Sequence, residues 1–466
     1  MKRLIAFAVL AAALLSYSIL CAVDPECYLP SSSSTKAETV EPEKSDFVFT
    51  TVTEGEHTYL SITEYTGSDW FVNIPATVDG VPVQRIGDAA FYRNRSVRAV
   101  LLPSTLTEIG SYAFADSNVS IVIPGEGLRI IDYAAFYGCD DLRGFDLQHA
   151  TGLLQIGDFA FAECAGLISD LRMPDSLLLI GAYAFQGCAS APLLTLNEGL
   201  VYIGDGAFNH CIGLQNENIH IPASVRQIGG AKFAPGESVR GTHVFYNCAP
   251  TTLSSFTVAD GSKAYTTRDG VLYAQNETGE PAVLVCYPPN RAGAVYEMPS
   301  SVTDAYELSL GRPLHLRELI LPDAFTVYTE LPENYLNTGS NLSVAIYNKN
   351  ALTSVSCTEG SEVYATRDGM LLSHDMKTLL YVPFGAGRDD VLTIPDGVEK
   401  IELGAICAST DEPQGNRYTA KRIVIPDSLV AVGDGVIAAI NTQSWQIILS
   451  PGHGTLSLSD GKLVRK

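Results

Sequence analysis

Basic residues are scarce in this chain: 30 Lys and Arg stand against 52 Asp and Glu, a net charge of −22 over 466 residues. A surface that acidic repels phosphate backbones, which excludes nucleic acid as a partner and disfavours electrostatic docking on anionic lipid. Membrane-spanning runs are missing too. The apolar run from Leu4 to Leu15 has 12 residues, too short to cross a bilayer, and no other stretch is long and apolar enough. Catalytic signatures are also lacking. None of the eight histidines (57, 149, 210, 220, 243, 315, 374 and 453) forms His-x-x-x-His or His-Glu-x-x-His. There is no Gly-x-Ser-x-Gly elbow, phosphate loop or dinucleotide fingerprint, and no Cys-x-x-Cys. The sequence therefore supplies no catalytic residue, no metal-ligand set and no cofactor site, and an enzyme is not expected.

What is present begins with an export signal. Met1-Lys2-Arg3 is a positive start, Leu4 to Leu15 fits the apolar region of a signal peptide, and Ser16-Tyr17-Ser18 supplies a small-x-small cleavage site. Cys21 leaves lipidation open as an alternative, although Leu20 stands before it where a small residue is usual. We expect a signal peptide over 1–22 and a flexible tether over 23–45, where apolar residues are too few to fold.

The rest is a repeat. Ile-Gly-x-x-Ala-Phe, complete or loosened, runs from Ile86 to Phe91 and recurs at Ile109, Ile131, Ile156, Ile180, Ile203 and Ile228. The Ile-to-Phe offset is five every time, and Phe91, Phe114, Phe136, Phe161, Phe185, Phe208 and Phe233 are 22 to 25 residues apart. Before most copies stands a short alternating segment closed by proline, such as Val100-Leu101-Leu102-Pro103 or Ile121-Val122-Ile123-Pro124. Alternation marks a half-buried strand, and proline ends it. Each unit thus reads as a short strand, a turn through Ile-Gly, and a return segment carrying the phenylalanine. One unit cannot bury its apolar face, so the units must stack, with the phenylalanines as an internal ladder.

The fold expected is a leucine-rich repeat solenoid of α/β type, with short parallel strands and irregular return segments. Residues 46–80 read as a small β N-cap, 81–250 as regular repeats, 251–450 as degenerate repeats, and 451–466 as a C-terminal cap or tail. Two hairpin insertions fall in the C-terminal half, at Arg268-Asp269-Gly270 and Arg367-Asp368-Gly369, because Asp-Gly between strand-like residues marks a tight turn. A tight turn accounts for the recurring Arg-Asp without a functional role.

Cys139, Cys164, Cys188, Cys211 and Cys248 each lie three residues after a phenylalanine. One thiol per repeat, without paired spacing, fits a buried row packed as small apolar residues rather than a zinc site. Oxidation between adjacent rungs stays open for an exported protein. His210 beside Cys211 and His243 near Cys248 are the only approaches to ligand pairs.

The residue between two inward aliphatics in each strand must face outward. This predicts one row, Leu101, Val122, Asp146, Arg172, Thr195 and His220, continued by Ile320 and Val424. Mixed aliphatics and charges suit a protein-binding face.

The run Ile74-Pro75, Val78-Asp79-Gly80-Val81-Pro82-Val83, Ile86-Gly87 and Ala90-Phe91 resembles the opening of BspA-like leucine-rich repeat proteins. The Phe-x-x-Cys step and the Tyr…Asp-Gly-Val-Leu hairpin resemble the same consensus, over roughly residues 46 to 450. The resemblance implies a bacterial surface or secreted protein, of a family associated with attachment to host proteins and co-aggregation. Its expected partner is a protein: a host extracellular-matrix or plasma protein, or another cell's surface protein. Membrane contact is expected only through a lipid anchor at Cys21. The alternatives are a structural cell-envelope protein and a substrate-binding arm of a secreted enzyme complex.

Overall fold

Residues 46–229, 243–306, 308–327, 352–406, 418–443 and 445–466 are described by a computed structural model. They form a β-solenoid of about 14 turns with mostly parallel strands. Helix is slight among these residues: Asp434–Thr442 and one 3-10 turn, Leu147–His149. The α/β character expected of the return segments is therefore carried by turns.

Each regular turn contributes to two sheets. One sheet collects the aliphatic segments before proline: Phe71–Asn73, Ala99–Leu101, Ile121–Ile123 and Gly144–Phe145 pair in parallel. Two shorter pairings follow, Leu171–Arg172 with Leu194–Thr195 and Asn218–Ile221 with Ser255–Val258. The other sheet was not expected. Ile-Gly had read as a turn, but the isoleucine ends a two-residue strand, Glu108–Ile109, Ile130–Ile131, Gln155–Ile156 and onward, in a ten-stranded sheet. Ile86, Ile109 and Ile131 are paired in register and buried. The β-branched residue suits the ladder, and the turn comes only after it. Glycine then follows for want of room: at Gly87 a Cβ would lie 2.7 Å from the Ile62 carbonyl oxygen.

The return segment carries the phenylalanines. Each is flanked two residues on either side by left-handed backbone, as at Tyr112 (φ 55°) and Asp116 (φ 56°) around Phe114. The bends let the chain bond the next rung: Phe114 N–H donates to Ala135 O, Phe136 to Ala160 and Phe161 to Ala184, each at 2.7 Å. The alanine before each ring (90, 113, 135, 160, 184 and 207) is buried between rungs. The rings stack as the sequence implied. Phe91 to Phe114 is 4.7 Å between centroids, Phe114 to Phe136 5.0 Å, Phe136 to Phe161 5.1 Å, Phe161 to Phe185 5.3 Å and Phe185 to Phe208 5.7 Å. Tyr65 caps one end at 5.1 Å from Phe91, and Phe245 follows Phe208 at 5.8 Å. Phe233 lies outside the described residues.

The N-terminal cap is a hairpin, Phe47–Glu54 with His57–Tyr65, whose second strand leads into the ten-stranded sheet. The two Asp-Gly hairpins form as expected, Tyr265–Arg268 with Val271–Gln275 and Tyr364–Arg367 with Met370–Ser373. Both turn residues are left-handed in each, Asp269 and Gly270 at φ 53° and 77°, Asp368 and Gly369 at 52° and 78°. Positive φ at both positions is what a two-residue turn between twisted strands requires. Two further Asp-Gly turns were not anticipated: Asp79 (φ 49°) and Gly80 (φ 82°) join Thr77–Val78 to Val81–Ile86, and Asp460 (φ 50°) and Gly461 (φ 75°) join Leu456–Ser459 to Lys462–Arg465 in a C-terminal hairpin. Asn441, on the helix, brackets that hairpin. Its Nδ2 donates to Leu463 O at 2.9 Å and its Oδ1 accepts from Leu463 N–H at 2.8 Å.

Phe161 sits fully buried mid-ladder with ring neighbours on both sides. Phe161→Ala should cost about 3–5 kcal/mol, measured as a lowered urea midpoint. An unchanged midpoint would refute a ladder that holds the array together.

Candidate binding face

Strand alternation builds the outward face. Val72, Val100, Val122 and Phe145 are register partners and all buried, so the residues beside them point out. Asn73, Leu101 and Ile123 therefore share one row, with Asp146 exposed after Phe145. Next along the array, Arg172 pairs with Thr195 and His220 with Thr257, all three named first being exposed.

Five of the six expected residues thus face outward: Leu101, Asp146, Arg172, Thr195 and His220. Val122 does not. It is 1% exposed, packed in the core, and its place in the row belongs to Ile123. The expectation counted back from proline, and Pro103 and Pro124 are 21 residues apart. Ile109 to Ile131 and Phe114 to Phe136 are both 22. Adding 22 to Leu101 gives Ile123, so the ladder period, not the proline, carried the register. Asn73 and Thr257 extend the row, 28 residues before Leu101 and 37 after His220, and only the strand pairing places them there. Further on, Ile320 is half-buried between Glu297 and Ser356 in register, and Val424 between Thr393 and Ile448.

Polar members of the row are held by neighbours. Arg172 Nε lies 3.0 Å from Asp170 Oδ2, and Asp146 Oδ2 lies 2.5 Å from His149 Nδ1. The Thr257 hydroxyl donates to Asn218 Oδ1 at 2.9 Å, so it accepts from His220 Nδ1, also at 2.9 Å. That leaves His220 Nε2 facing Glu198 at 3.8 Å. The face offers positioned charges and hydrogen bonds beside half-buried aliphatic carbon.

The thiols turn away from it. Cys139, Cys164, Cys188 and Cys211 are fully buried and free, and each donates its S–H to a phenylalanine carbonyl. The acceptors are Phe114, Phe136, Phe161 and Phe185, at 3.0, 3.1, 3.3 and 3.1 Å. Burial pushes Cys139, Cys211 and Cys286 up to about 12 and raises Cys164, Cys188 and Cys248 strongly. His210 is oriented by Asn209 Oδ1 at 2.5 Å on an exposed turn, while Cys211 beside it points into the core.

With this geometry in hand, comparison places the repeats. Residues 71–169 and 154–257 match the BspA type leucine-rich repeat region in six copies. Residues 71–257 are BspA-type leucine-rich repeats. The fold extends beyond the matched BspA-type segment. A leucine rich cell surface protein from Faecalibacterium prausnitzii A2-165 superposes with a TM-score of 0.60 at 22% identity, over 90% of this chain and 97% of that one. A leucine-rich repeat protein from Bacteroides ovatus, at 18% identity, gives 0.46 over 88% and 100%. The pneumococcal vaccine antigen PcpA, at 17%, gives 0.46 over 88% and 98%. No curated protein matches the chain.

The BspA-type thiol row has a measurable signature. Native protein should alkylate Cys139, Cys164, Cys188 and Cys211 far more slowly than denatured protein, read by mass spectrometry. Because the folded thiols hold their protons well above the ordinary value of about 8.5, the unfolded chain binds fewer protons in alkali. Their stabilisation is therefore full below about pH 8.5 and lost progressively toward about 12, the folded value for Cys139 and Cys211. A urea midpoint that rises between pH 8 and pH 10 would contradict this (both pH values chosen about the free-thiol range).

Proposed function

We propose that this is an exported, non-enzymatic repeat protein of the bacterial surface or its surroundings that binds a protein ligand on the outward strand row. The observation that carries the reading is that row: Leu101, Ile123, Asp146, Arg172, Thr195 and His220, displayed from parallel strands on a rigid buried ladder. Inward positions of the same strands are all aliphatic or aromatic, whereas the outward ones differ in size, charge and hydrogen-bonding type from rung to rung. A pattern of that kind can read a partner's surface along the array.

Export is supported by the basic start and the 12-residue apolar run, and no described helix is long and apolar enough to cross a membrane. Surface location is supported by the F. prausnitzii protein of the same fold, itself a cell surface protein. Lipidation at Cys21 would tether the array through residues 23–45. The partner class is an extracellular-matrix or plasma protein of a host, or a surface protein of another cell.

The test begins with the purified protein on a panel of such proteins. Ile123→Glu combined with Arg172→Glu should then weaken the partner identified by at least about tenfold without moving the thermal midpoint, as loss of a hot spot does. Full affinity in a folded double variant would move the site to the Asp-Gly hairpins.

A further inference from the structure

A second surface lies in the C-terminal half, around Ile320, which the sequence placed on a continuation of the outward row. A cleft of about 710 Å³ opens beside the strands Val295–Glu297, Glu318–Leu321 and Ser354–Cys357 and the hairpin that begins at Tyr364. That volume is in the range that seats a discrete ligand group. Strand register sets Glu297, Ile320 and Ser356 side by side on its floor. Glu359 enters from the loop leading to the hairpin, and Glu318 lies two residues before Ile320 on the same face of its strand. The Ser356 hydroxyl donates to Glu318 Oε1 at 2.7 Å, which fixes that carboxylate and leaves its second oxygen for a ligand.

Among the described residues, three carboxylates therefore line the cleft and no Lys or Arg does. Apolar carbon lies among them: Ile320 on the floor and Met376, 48% exposed, at the rim. A bare metal ion does not fit this arrangement, since the described residues hold no group of three His, Cys, Asp or Glu side chains close enough to share one. Separated carboxylates around aliphatic surface complement a longer cation, one with a hydrocarbon stem and a charged head. We infer that the cleft seats a lysine or arginine side chain of a protein segment, its stem against Ile320 and Met376 and its head among Glu297, Glu318 and Glu359. The net charge of −22 steers such a basic segment in from a distance. This inference does not rest on the outward row of the first half and can fail separately from it.

Cys357 is a built-in reporter. It is a half-buried free thiol on the same cleft wall, whereas the other described cysteines are buried. The probe is a synthetic peptide of alternating lysine and valine, with the glutamate–valine peptide as control, and the readout is the alkylation rate of Cys357 in the full chain. The lysine peptide should slow alkylation saturably, and less so in high salt. Glu297→Gln with Glu359→Gln should weaken the protecting affinity by about tenfold, the loss expected from charge-assisted hydrogen bonds. The Ile123→Glu, Arg172→Glu variant should protect as the parent does. If the double glutamine variant shifts the thermal midpoint, Glu359→Lys alone, on the exposed loop, makes the same test. Absence of protection, equal protection by the acidic peptide, or undiminished affinity in a folded variant overturns the assignment. Protection by spermidine with none by the lysine peptide overturns the protein-segment occupant.

Discussion

Backbone pairing at a fixed spacing governs this molecule. Parallel rungs stand about 4.8 Å apart, so every side chain lies directly over its counterpart in the next rung. Residues are then selected in columns, not singly. The Phe N–H groups bond to alanine carbonyls of the next rung at 2.7 Å, and those alanines are buried between rungs as a column of their own. The ring ladder follows from the same spacing, since centroids 4.7 to 5.7 Å apart are what stacked phenylalanines prefer. The thiol column fills the turn with a small side chain that reaches the carbonyl of the rung before it, and Ser117 holds the same position one rung before Cys139.

Columns are hazardous for charge, because like charges in register repel. The acidic surplus is managed by pairing across rungs. Arg85 meets Glu108 at 2.7 Å, Arg93 meets Asp116 at 3.4 Å, and Arg98 meets Asp141 at 2.9 Å. Glu163 accepts from Gln186 of the next rung at 3.0 Å, a neutral donor where a second acid would be unfavourable. On the outward strand row the column rule relaxes. Side chains there diverge into solvent, and the sequence is free to vary from Asn73 through Thr257. Variation on the outside and uniformity within are two results of one spacing.

Most of the columns could be read in the sequence because they recur at the array's own period. Ile, Ala, Phe and Cys announced the ladder, and Asp269-Gly270 and Asp368-Gly369 announced their turns because strand-like residues flank them, whereas Asp434-Gly435 opens a helix. Three features escaped for stated reasons. Val122 was placed outside because proline, a local strand stop, served as the ruler in place of the 22-residue period. Ile-Gly read as a turn because a two-residue strand leaves no alternation to detect. Phe245 joins the ladder 37 residues after Phe208, outside the period that found the others. The cleft beside Ile320 was invisible for a different reason: its carboxylates come from separate strands and a loop, and only the pairing register sets them together.

The bracket formed by Asn441 has a further consequence. A solenoid is assembled from units that each present a complete row of donors and acceptors to the next, and nothing in that rule tells growth when to stop. At Leu463 a side-chain amide occupies both backbone positions that another strand would need. The amide presents a donor and an acceptor in the same geometry as a peptide group, so a helix side chain satisfies Leu463 where a neighbouring strand otherwise would. Many sheet proteins blunt their margins with charge or proline, which repel or interrupt. Here the edge of the Asp460-Gly461 hairpin is instead covered at Leu463 by a side chain that imitates a peptide group.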